Sequence, residues 1–338
     1  MENLLMMRGA RKLVSVCANI QPGEEVVIVT DFADRGVSTA LAAAALERTE
    51  NVNIIIMPPR SIDGEEPTKT VAEAMKAADV LFTPVQQSIT HTYANRTAIG
   101  GGARGIMLSQ YNPSMLYKGG IHADFEAIRP LCLKVGELLA NCDKVHLTTP
   151  AGTDLRLSLK GRPSNPHSGI VRVPGDVTTV PNIECSSSPI EGTSEGVIVV
   201  DASIPYYGIG LVSEPIRLDV SGGRVTKISG GHQADFLERL LALQGDPAVY
   251  NIAQISFGLN PHCPMEGVML HDEGVYGTSH IGIGTSVLLG GTVKTLTHFD
   301  ALMWKPTLSL DDEIVLKDGV WLVAENEVIA DRRPATAA

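Results

Sequence analysis

A chain of 338 residues has room for about two domains, each able to bury a core of its own, which excludes a miniprotein held together by disulfides. With 27 basic against 38 acidic residues and a net charge of −11, it carries the wrong sign for binding by phosphate neutralisation, so nucleic acid is not expected as a partner. Hydrophobic residues make up 44 % and aromatic residues 4 %, the balance of a globular chain with an aliphatic core.

The N-terminal stretch carries Glu2, Arg8, Arg11 and Lys12, which break any apolar run of the kind a signal peptide needs. No stretch approaches the roughly 18 consecutive apolar residues of a membrane span. Residues 25–30 read as a buried strand, 36–48 as a helix, 52–57 as a strand, 68–78 as a helix and 79–83 as a strand. A strand at 105–108, a helix at 124–140 and a strand at 144–149 follow, an alternation that predicts a Rossmann-like parallel α/β domain over residues 1–150. From residue 151 the character changes. Residues 154–159 alternate strictly between polar and apolar, 161–181 are rich in Pro, Ser and Gly, and strand-like runs recur at 197–201, 216–220 and 225–228, with one helix near 234–244. Alternation marks strands with one solvated face, so 151–330 reads as an antiparallel, β-rich α+β domain, and 331–338 as a tail. The fold class is thus α/β followed by a β-rich second domain.

Five cysteines, Cys17, Cys132, Cys142, Cys185 and Cys263, are scattered without a C-x-x-C pair, which speaks against a disulfide framework and a thiolate zinc site and for a reducing cytoplasm. His262 and Cys263 are adjacent on an irregular loop, where two neighbours seldom converge on one ion. The glycines at 100–102 lack the surrounding pattern of a phosphate loop. The densest chemistry lies between His271 and Asp300. His298 and Asp300 are two residues apart, so on a strand they share a face, and His280 lies 18 residues earlier, a separation that suits the other arm of a hairpin. Two imidazoles and one carboxylate leave open positions on a non-heme Fe(II), or on a Zn²⁺ that keeps a water. The same residues also suit a hydrogen-bonded structural cluster.

Residues 230–237, 246–252, 256–260, Leu270, His271 and Asp272, the Gly290 and Gly291 pair, 297–300 and 310–312 resemble 2,5-dihydroxypyridine 5,6-dioxygenases. These are Fe(II) enzymes built on the fold of the thermophilic metalloaminopeptidases. Residues 181–184 and 195–201 follow the same pattern, and 90–95 and 102–105 do so more weakly. The resemblance implies ring cleavage of a hydroxylated N-heteroaromatic by O₂, an Fe(II) cofactor, and a homo-oligomer. It implies His298 and Asp300 as metal ligands in both branches of the superfamily, Glu184 and His280 as ligands in the aminopeptidase branch, His91 as a base toward the substrate hydroxyl, and His271 with Asp272 as orienters of metal-bound histidines.

The chain departs from the aminopeptidase pattern at Gln254, where that branch has Glu, and at Val287, where it has Tyr. The dioxygenases place their first iron-binding His near Gln254. Losing an anionic bridge argues against a two-metal hydrolytic site and leaves a mononuclear one, with His280 standing in for the missing histidine. The alternative is an amide hydrolase using Zn, Mn or Co, with Glu184 as ligand or general base. For His91 the competing reading is a cap on the helix that follows it, and for Arg104 the choice lies between an acidic substrate group and plain surface.

Overall fold

The computed structural model describes residues 2–32 and 35–326. They form two compact units, one of residues up to Arg129 together with His167–Pro181, the other of Pro130–Pro166 together with the residues from Asn182 onward. The N-terminal unit is therefore completed by a segment from beyond residue 150. The tail expected at 331–338 lies outside the described residues.

The N-terminal unit is built on a five-stranded parallel sheet in the order Val52–Ile56, Val26–Thr30, Val80–Val85, Arg104–Ser109, Val177–Thr179. Its first four strands fall where the β-branched runs predicted them. The fifth comes from the Pro/Ser/Gly-rich stretch, and three residues are too few to show a period. Helices Lys69–Lys76 and Tyr93–Gly100 cover one face, where Val27, Val29, Leu81 and Met107 meet Val71, Met75 and Ala98 in an aliphatic core. The glycine run ends a helix and cradles no anion. The Gly101, Gly102 and Ala103 amides are spent on the carbonyls of Thr97, Ile99 and Ala98, and Gly102 takes the left-handed φ of +110° that releases the chain into the next strand.

Arg104 is buried and faces no substrate. Its guanidinium binds both oxygens of Glu24 at 2.6 and 2.7 Å and the Ala18 carbonyl at 2.7 Å. Truncating it leaves Glu24 and that carbonyl uncompensated, so Arg104→Ala is expected to cost about 3 kcal/mol of stability in urea unfolding. Wild-type stability in that variant would show the pair to be ornamental.

Among the described residues the C-terminal unit holds two large sheets and a two-stranded ribbon, Ser203–Ile204 with Gly210–Leu211. The larger runs Arg224–Ser229, Ile216–Ser221, Glu195–Val200, Asp154–Ser158, Lys144–Thr148, Thr307–Leu310, Glu313–Lys317, Val320–Trp321. Lys144–Thr148, read from sequence as the last strand of the α/β layer, belongs here because it pairs antiparallel with its own hairpin partner Asp154–Ser158. The smaller sheet runs His298–Trp304, Thr278–Gly284, Ile252–Gly258, Glu184–Ser187, Ser164–His167. Its apolar face carries Ile255, Phe257, Ile281, Ile283 and Phe299, all fully buried. Phe257 meets Trp321 of the larger sheet edge-on at 5.4 Å, which makes this face part of the core between the sheets.

Candidate active site

The other face of the smaller sheet is polar, and register explains why. Gly258 stands opposite Glu184, Ser256 opposite His280, Gln254 opposite Gly282, Gly282 opposite Asp300 and Gly284 opposite His298. Opposed residues share a face, and so do residues two apart. Glu184, Gln254, Ser256, His280, His298 and Asp300 therefore emerge together, while the apolar residues between them turn to the core. Glycines open the room they need. A Cβ at Gly282 would stand 2.8 Å from Cε1 of His298 and 2.7 Å from Cβ of Gln254. At Gly258 it would meet the Val275 and Glu273 carbonyls at 2.3 and 2.7 Å, and this close passage brings Glu273 over the site.

Nε2 of His280 lies 3.0 Å from Oε2 of Glu184 and 3.8 Å from Oδ1 of Asp300. Nε2 of His298 lies 3.6 Å from Oδ2 of Asp300. The Ser256 hydroxyl donates to Oε2 of Glu184 at 2.8 Å, and the Gln254 amide nitrogen stands 3.4 Å from Nε2 of His280. Nδ1 of His298 meets the Thr285 carbonyl at 2.9 Å, and since a carbonyl only accepts, the proton is on Nδ1 and Nε2 faces Asp300. The His298 side chain is 24 % exposed against 1 % for His280 and 5 % for Asp300, so the cluster meets solvent at His298.

Burial opposes a charge on either imidazole, yet Asp300, and for His280 also the bond to Glu184, outweighs it and lifts both above the ordinary histidine range. Against its own burial, Asp300 is drawn down to about 2 by the two rings. Burial and the neighbouring Asp300 and Glu184 push Glu273 well up.

Among the described residues no three His, Cys, Asp or Glu side chains already stand as a closed metal cluster. The four central groups bind one another instead. The donor set nonetheless fits one ion. Oδ1 of Asp300 is buried without a hydrogen-bond partner, and donors sharing an ion at about 2.1 Å stand roughly 3 Å or more apart, the order of the separations here.

The structure thus brings Glu184, His280, His298 and Asp300 together. It places His271 differently from the expected orienting role: its Nδ1 binds Oε1 of Glu266 at 2.5 Å, its Nε2 is buried without a hydrogen bond, and the Thr285 carbonyl orients His298. Asp272 accepts from the Glu266 and Gly267 amides and shapes that loop. Cys263 is buried and its thiol is pushed far up by burial, the opposite of a metal-binding thiolate. His91 is exposed in the N-terminal unit just before helix Tyr93–Gly100, whose end is capped by Thr92 and by Glu66. Sequence reasoning missed Tyr206, Asn182 and the role of Glu273. The Tyr206 hydroxyl lies 2.7 Å from Oε1 of Glu273 and 3.1 Å from Oδ2 of Asp300, and Nδ2 of Asn182 reaches Oε2 of Glu273 at 3.4 Å.

Residues 6–323 match the family described as NicX, 2,5-dihydroxypyridine 5,6-dioxygenase. The chain belongs to that family. Over 258 residues it is 26 % identical to the 2,5-dihydroxypyridine 5,6-dioxygenase of Pseudomonas putida, covering 73 % of this chain and 71 % of that protein. The solved structure of a 2,5-dihydroxypyridine dioxygenase from Pseudomonas putida KT2440 superposes with a TM-score of 0.84 at 21 % identity over 96 % of this chain and 99 % of its own. Wild-type AmpT from Thermus thermophilus follows with a TM-score of 0.71 at 16 % identity, over 95 % of this chain and 99 % of its own. The family bears out the expectation of a ring-cleaving dioxygenase, and the two superpositions bear out the mixed α/β fold. No helix among the described residues is long and apolar enough to cross a membrane.

Proposed function

We propose that His280, His298 and Asp300 hold a single Fe(II) ion and that the protein opens the ring of a hydroxylated N-heteroaromatic such as 2,5-dihydroxypyridine. The observation that carries this reading is one polar sheet face with two imidazoles and a carboxylate, the last with an orphaned oxygen, in a chain of a dioxygenase family. Bound there, the ion supplies open positions for the substrate oxygen and O₂. The chain's own groups orient and hold protons. The Thr285 carbonyl fixes the His298 ring, Ser256 fixes Glu184, and Glu184 presents a carboxylate oxygen to take up a proton beside His280. The partly open His298 edge is where a flat ring enters. The reading places the protein in the cytoplasm, in keeping with five buried cysteines that form no disulfide among the described residues, and as a homo-oligomer.

A second reading, amide hydrolysis with Zn²⁺, Mn²⁺ or Co²⁺, draws on Glu184. It is weakened by Gln254, a neutral amide beside His280, and by the aliphatic Val287, since neither can bridge two cations. Protein purified without oxygen and loaded with Fe(II) is expected to consume O₂ and 2,5-dihydroxypyridine in equal amounts and to stop when a ferrous chelator is added. Turnover of peptides without oxygen would establish the hydrolase instead. Gln254 already faces His280, so Gln254→His is expected to tighten Fe(II) binding; unchanged affinity would place residue 254 outside the ion's reach.

A further inference from the structure

Asp300 lies on an edge strand, where nothing in the sheet beyond it holds its carboxylate. The segment after Glu195–Val200 supplies what the missing neighbour would. Oδ1 of Asp201 accepts from the Trp304 amide at 2.9 Å, the Ala202 amide donates to the Leu302 carbonyl at 3.2 Å, and Tyr206 then reaches Asp300. The next residue adds a second hold. Tyr207 packs edge-on against Phe299 at 5.9 Å and lies against the Tyr206 ring at 6.2 Å, and its φ of +57° is left-handed. Such a backbone is costly for a tyrosine.

The contacts of Asp300 are divided between its two oxygens. Oδ2 receives the Tyr206 hydroxyl at 3.1 Å and faces Nε2 of His298 at 3.6 Å, while Oδ1 is buried, has no hydrogen bond, and lies on the side of His280. The single phenolic proton of Tyr206 is shared between Oδ2 of Asp300 and Oε1 of Glu273, whose other oxygen accepts from Asn182. We propose that Tyr206 is a positioning residue: by occupying Oδ2 from a clasped, anchored position, it sets the rotation of the Asp300 carboxylate and reserves Oδ1 for the metal. The proposal rests on the metal site proposed above. Carboxylates that bind metals are commonly oriented by such a bond, whose loss lowers affinity by about 10- to 100-fold.

The test compares wild-type, Tyr206→Phe and Tyr206→Leu protein, each stripped of metal and titrated with Co(II). The visible absorption reports how many donors surround the ion, and thermal melting checks the fold. Tyr206→Phe keeps the ring and loses the hydroxyl. It is expected to bind Co(II) about tenfold more weakly, with an altered spectrum, at an unchanged melting temperature. A Phe variant with wild-type affinity and spectrum overturns the proposal, and more so if only the Leu variant loses metal, since the ring would then act by packing alone. Wild-type protein that takes up neither Co(II) nor Fe(II) would overturn the metal reading itself, a result distinct from indifference to the hydroxyl.

Discussion

His298→Ala is expected to lose the Fe(II) proposed for this site on purification and to cut turnover of 2,5-dihydroxypyridine by at least about a thousandfold, which corresponds to about 4 kcal/mol of transition-state stabilisation. The size of the effect follows from position. His298 is the only imidazole of the cluster at its solvent edge, and with Asp300 it forms the pair on the terminal strand. Removing it leaves His280 with one neighbouring carboxylate bonded to Ser256 and the other held by Tyr206, too few mobile donors to enclose an ion. The same exposure makes the variant informative, because truncating a side chain at the rim opens no sealed cavity. The melting temperature of metal-free protein should fall modestly, because Asp300 loses one of the two rings that hold its charge. His280→Ala is a poorer probe, since it takes an imidazole from two buried carboxylates at once, Glu184 and Asp300, and so destabilises the sheet more. Metal content, oxygen uptake and melting of His298→Ala decide the matter together; a metal-bound, fully active variant would remove this face from the chemistry.

His298 and Asp300 could be placed on one face from sequence because a strand repeats every two residues, and their strand shows that alternation against Phe299 and Ala301. The hairpin with His280 was legible from the spacing. The register was not: Asp300 stands opposite Gly282 and His280 opposite Leu302, so the two candidate ligands meet diagonally. Tyr206, Glu273 and Asn182 gave no signal, because each reaches the site from an irregular segment whose course is set by contacts far along the chain. Glu273 was visible only as one acid after His271 and Asp272, the residues that resemblance favoured, and it arrives by closing the short helix Met269–Asp272 over Gly258. In the same way Arg104 reads as surface in sequence, since its partner Glu24 lies 80 residues away. Strand Val177–Thr179 lay hidden among prolines and glycines because it is a three-residue strand at the edge of the parallel sheet, too short to show a period and held there by its pairing with Arg104–Ser109.

Gly282→Ala should separate the fold from the site. The added methyl would stand 2.7 Å from Cβ of Gln254 and 2.8 and 3.0 Å from Cε1 and Nε2 of His298, distances that real Cβ atoms do not tolerate. Gly282 has ordinary extended backbone, so alanine is acceptable to the chain itself and the conflict is purely with the side chains above it. The His298 ring is tied to the Thr285 carbonyl on one side and opens to solvent on the other, so it is the group that yields. The expected outcome is a folded protein less stable by about 1–3 kcal/mol, with metal affinity and turnover reduced about a hundredfold by a ring displaced by about 1 Å. Gly284→Ala makes the contrast. There φ is +119° and the methyl would meet the Thr297 carbonyl oxygen at 2.1 Å, so backbone must move and the loss should appear as failure to fold. Combining Gly282→Ala with His298→Ala tests the cause directly, because with the ring gone only the contact with Cβ of Gln254 remains and the stability cost of the methyl should shrink. Should Gly282→Ala bind metal and turn over substrate like wild type, the ring would have room the structure denies it, and the placement of Nε2 of His298 over that glycine would be wrong.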